Sequence, residues 1–89
     1  MKLKKVIQKK RFASGDLITT DFEGEYMLTY SQASLEITIP NDVRFDRGEV
    51  GIILSTVQTP DSYYNEGGFA MILVKQGCGW VPYRWLRRA

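Results

Sequence analysis

The sequence predicts an all-β fold: a small antiparallel barrel of five to six strands, with a short 3-10 turn near the C-terminal end. Three observations carry that expectation. No segment keeps an apolar helical period over ten residues. Six short stretches of strand character are separated by clusters of turn residues. The chain has 89 residues, room for a single core, and at that size closing a sheet on itself is an economical way to remove exposed strand edges.

The elements follow in order. Residues 1–12 alternate weakly, through Leu3, Val6-Ile7 and Phe12, and read as a basic arm, a strand or a short helix. The barrel domain is expected over residues 13–89. Ser14-Gly15-Asp16 is a turn, and Leu17 to Thr20 is a strand rich in β-branched residues. Asp21 to Glu25 is a loop. Tyr26 to Tyr30 is a strand with Tyr26, Leu28 and Tyr30 on one face. Leu35 to Ile39 alternates strictly, the clearest period-two signal in the chain. Pro40-Asn41-Asp42 is expected to end that strand, because proline cannot donate to a ladder. Val43 to Arg47 then reads as a loop containing Phe45.

Gly48 to Val57 is a strand with Val50, Ile52 and Leu54 facing one way, and Gly51 suggests a bend or bulge within it. Turns are expected at Thr59 to Ser62 and at Asn65 to Gly68, with Tyr63 and Tyr64 between them. Phe69 to Lys75 is a buried strand, apolar on both faces, and its outer side needs cover from the N-terminal arm or from another subunit. Gln76 to Gly79 is a hairpin connection, Trp80-Val81 returns, and Pro82 stops the strand. Tyr83 to Leu86 reads as one short helical turn before a last extended piece. The expected core is Leu17, Leu28, Ile37, Ile39, Val50, Ile52, Leu54, Met71, Leu73 and Val81.

At this point the residues resemble a known family. Gly79-Trp80-Val81-Pro82-Tyr83-Arg84-Trp85-Leu86 resembles the closing motif of Src-homology-3-like barrels. There a Gly-aromatic-aliphatic-Pro run ends a strand, a single 3-10 turn follows, and an aromatic-aliphatic pair opens the final strand. Gly15-Asp16-Leu17-Ile18 resembles the opening strand of such barrels, and Gly48 to Leu54 a central one. In members that bind proline-rich peptides, the motif's proline and the following aromatic help form the groove; by position these are Pro82 and Trp85. The family's Ala-Leu-Tyr-Asp-Tyr signature is missing after the first strand, and Gly48-Glu49-Val50 stands where its tryptophan would open the central sheet. The resemblance therefore implies the barrel and not the proline-peptide groove. In overall style the chain is similar to small single-domain barrels of tailed bacteriophages, some of which are virion or assembly components.

Composition argues against catalysis. The chain has no histidine and one cysteine, Cys78, so the commonest general base and the commonest zinc ligands are missing. A lone cysteine fits a reducing compartment. No serine has a plausible base partner, and Gly67-Gly68 lacks the lysine of a phosphate loop. Asp21, Glu23 and Glu25 alternate, but a solvated acidic loop accounts for them. Asp42, Asp46 and Glu49 interleave with Arg44 and Arg47, which suggests local ion pairs. The expectation is a non-enzymatic protein with no cofactor and no metal. No apolar run is long enough to span a bilayer, and the basic start lacks the apolar stretch of a secretion signal. The expected location is the cytoplasm of a bacterial host, or the virion.

Charge and aromatics supply the candidate binding residues. Nine of the twelve basic residues lie in the first eleven or last six positions, and all ten acids lie between. The first and last strands of such a barrel are neighbours. Lys4, Lys5, Lys9 and Lys10 should therefore join Arg84, Arg87 and Arg88 in one basic patch, with the acids forming an opposite pole. Tyr63, Tyr64, Tyr83 and Trp85 sit at turns or near the end, where aromatics enrich binding surfaces. The primary reading is a protein–protein interaction module or a self-associating piece of a phage particle. The alternatives are a nucleic-acid-binding barrel that uses its basic ends, and a small inhibitor that acts by occlusion.

Overall fold

A computed structural model describes residues 11–31, 36–59 and 66–89. Among these residues it is all-β apart from one 3-10 turn, as the sequence predicts, with seven strands rather than five or six. These are β1 (Leu17–Thr20), β2 (Glu25–Ser31), β3 (Glu36–Phe45), β4 (Gly51–Gln58), β5 (Gly68–Val74), β6 (Gly77–Pro82) and β7 (Leu86–Arg88), with the 3-10 turn η1 (Tyr83–Trp85) before β7. The additional strand is β7, the piece read as merely extended. All pairs are antiparallel and form one sheet in the order β3-β2-β6-β5-β4-β1-β7. The sheet curls into a half-barrel, a shape compatible with a Src-homology-3-like barrel.

Strand β4 to β6 is a meander, and the β5–β6 turn is the two residues Lys75-Gln76, since Val74 pairs with Gly77. That is tighter than the predicted hairpin, and β6 begins three residues earlier than Trp80. The β2–β3 hairpin inserts between β1 and β4 in sequence. It meets the rest of the sheet through β6, where Leu28 pairs with Trp80.

Three expectations about β3 and β4 are corrected. Pro40 does not end β3; the strand runs on to Phe45, with Leu28 opposite Pro40. β3 lies at the end of the sheet order, and an edge strand tolerates proline because one side of it needs no donor. Phe45 is therefore not a loop aromatic but a fully buried core residue. The irregularity in β4 falls between Ile53 and Ser55, not at Gly51. Gly51 is small for a packing reason: a Cβ there would stand 3.0 Å from Val74 Cγ1 and 3.1 Å from the Leu73 carbonyl oxygen.

The core takes the opposite face of several strands from the one predicted. It is built from Phe12, Ile18, Met27, Phe45, Ile53, Ala70, Ile72, Val74, Val81, Tyr83 and Leu86. Of the ten residues expected inside, Leu28 and Val81 are buried. Ile37, Ile52 and Met71 are half-buried. Leu17, Ile39, Val50, Leu54 and Leu73 are exposed. The reason is the period of the strand. Where both faces are apolar, alternation yields two candidate sets one residue apart, and choosing the wrong one turns the whole strand over. Thus Ile18 is inside and Leu17 outside, Ile53 inside and Leu54 outside, Ile72 inside and Leu73 outside.

Tyr83 is another correction. The sequence places it at the surface, yet η1 follows the buried Pro82 and tucks the ring inward, 2% exposed. The ring meets Phe12 edge-on, with centroids 5.2 Å apart. Its hydroxyl is buried and has no hydrogen-bond partner among the described residues. A buried unpartnered polar group costs about 1–3 kcal/mol. Tyr83→Phe is therefore expected to leave stability unchanged or raise it by about 1 kcal/mol, read as the urea midpoint at constant slope. A clear loss would mean that the hydroxyl has a partner.

Candidate interaction surface

The basic ends come together less simply than charge counting suggests. β1 and β7 do lie side by side, with Thr19 opposite Arg87. Acids lie among the arginines, however. Arg87 Nε donates to both carboxylate oxygens of Asp21 at 2.8 Å. Arg88 Nη1 donates to Asp16 Oδ2 at 3.0 Å, and its Nη2 to the Arg11 carbonyl at 2.7 Å. Arg11 in turn pairs with Glu66. Asp16 and Asp21 flank β1 in sequence, so the fold that joins the chain ends brings these carboxylates with them. Among the described residues, the expected separation into a basic and an acidic pole is thus not found. Lys4, Lys5, Lys9 and Lys10 lie outside the described residues, as do Tyr63 and Tyr64.

The remaining candidates spread out. Arg84 and Trp85 are half-buried on η1, and the Trp85 ring lies 5.9 Å from that of Phe22. The acidic loop residues bond to arginines: Asp21 to Arg87 and Glu23 to Arg47. Arg44 pairs with Asp46 as the interleaved sequence suggests, and its guanidinium also lies over the Tyr26 ring, 5.5 Å from the centroid. The Tyr26 hydroxyl and Asp46 both hold the Arg44 pKa above its ordinary value. Among the described residues no cluster of three or more potential metal ligands occurs.

Asp16 is the clearest titrating link in this region. The Ala13 backbone N–H, which donates to its Oδ2 at 2.9 Å, and then Arg88 hold its carboxyl below the usual carboxylate range. A depressed carboxylate stabilises the fold fully above its unfolded pKa of about 3.9 and loses that contribution as pH falls through the lower folded value. Asp16→Asn should therefore lower stability at neutral pH and flatten its fall below about pH 4. Urea midpoints measured from neutral to acid pH check this. Parallel curves for parent and variant would remove Asp16 from the account.

The surface that stands out is the outer face of the sheet, opposite the core. Antiparallel partners directly across a ladder share a face. Leu17 is opposite Ile52, Ile52 opposite Leu73, and Leu73 opposite Cys78. This row crosses four strands, about 14 Å at the usual interstrand spacing. A second row runs through Ser55, Met71 and Trp80 and ends at the buried Leu28. Neither row contains a charged side chain. Leu17 is 57% exposed and Leu73 45%; Cys78 is also exposed. Leu54 and Val57 add exposed apolar area on β4. Contiguous apolar patches of this kind are uncommon on monomers and mark contact surfaces.

Sequence reasoning found one strand of this surface, the doubly apolar Phe69 to Val74. It missed that Leu17, Ile52, Leu54, Met71 and Leu73 belong to it, because it assigned all five to the core. The usable signal was the pair of consecutive apolar residues on each neighbouring strand, Leu17-Ile18 and Ile52-Ile53. One member of each pair has to face outward.

Comparison with protein-family models, with curated proteins and with solved structures gives no match.

Proposed function

We propose that this domain is a non-enzymatic protein–protein interaction module that docks through the outer face of its sheet. The uncharged row Leu17–Ile52–Leu73–Cys78 is the observation that carries the reading. Fully burying a Leu or Ile side chain contributes about 1.5–3 kcal/mol, so covering several half-exposed ones supplies a useful part of a binding energy. Phosphate groups give no such cover, which favours a protein partner over nucleic acid. The Src-homology-3-like closing motif and the likeness in style to small phage-encoded barrels support a finer proposal: a structural or assembly component of a phage particle.

The test is affinity capture from the native cells with parent and Leu17→Glu/Leu73→Glu protein, followed by mass spectrometry and sedimentation. Both side chains point to solvent, so the variant should keep its melting temperature. The parent should retain a protein partner or self-associate, and the variant should lose that contact at least about tenfold, the effect of 1.4 kcal/mol. Equal retention by both proteins rejects the face. Micromolar binding of the parent to unrelated DNA or RNA at physiological salt, unaffected by the two glutamates, overturns the reading in favour of nucleic acid.

A further inference from the structure

We draw no further inference here: the strongest candidate, the apolar row Leu17–Ile52–Leu73–Cys78 on the outer face of the sheet, already carries the proposed function, and nothing in the structure shows what covers it.

Discussion

Phe45→Ala is expected to cost about 3–5 kcal/mol, the range for deleting a buried aromatic and leaving its cavity. Phe45 ends β3 with none of its surface exposed and packs in the cluster with Ile18, Met27 and Ile53. A domain of this length has a total stability of about 4–13 kcal/mol. The change should therefore remove a large share of it, and a marginal parent would be left largely unfolded. Leu54→Ala is the control. Leu54 lies on the same sheet, but at the irregularity in β4 and 45% exposed. Its loss should cost under about 1 kcal/mol. Urea unfolding of the two variants beside the parent measures both. A cost at Leu54 as large as that at Phe45 would mean that the inner and outer faces of β4 have been exchanged.

The second large effect is expected at Gly79. A Cβ built there would stand 2.5 Å from Met27 Cβ and 2.8 Å from Asn41 Nδ2. Neither neighbour can easily yield. Met27 is fully buried, and Asn41 Nδ2 is held by its hydrogen bond to the Cys78 carbonyl at 3.2 Å. Gly79 therefore sits where the β2–β3 hairpin presses on β6, beside the Leu28–Trp80 pair. Gly79→Ala should cost about 1–3 kcal/mol through overpacking. Combining it with Met27→Ala should cost less than the sum of the two single changes, because it removes the Met27 Sδ 3.0 Å from the added Cβ, although the Met27 Cβ contact stays. Strict additivity of the three measured values would show that the Met27 side chain beyond its Cβ takes no part in the clash.

The fold was legible where the sequence alternates or punctuates. Leu17 to Thr20 and Tyr26 to Tyr30 fall within observed strands, Phe69 to Lys75 does so but for Lys75, and the Pro82-Tyr83-Arg84-Trp85 run gives the 3-10 turn. It was illegible where tertiary position overrides a local rule. Pro40 reads as a stop, yet an edge position lets the strand continue. Tyr83 reads as a surface aromatic, yet Phe12, 71 residues earlier in the chain, provides the wall it packs on. Charge was legible as an asymmetry of the ends. Its outcome was not, since the partners Asp21–Arg87 and Asp16–Arg88 are 66 and 72 residues apart, and only the β1–β7 pairing brings them together.

The proline in β3 bears on how this molecule avoids indiscriminate polymerisation. A free strand edge is a template: its backbone donors and acceptors pair with almost any extended chain, regardless of side chains. Here one end of the sheet is a strand that contains Pro40 and carries Glu36, Asp42 and Arg44, the kind of residues that blunt such templating. The apolar material lies instead on a face, where backbone groups are already engaged with neighbouring strands. Attachment to that face has to proceed through side-chain shape, so a sticky surface is kept without the generic adhesiveness of an open ladder.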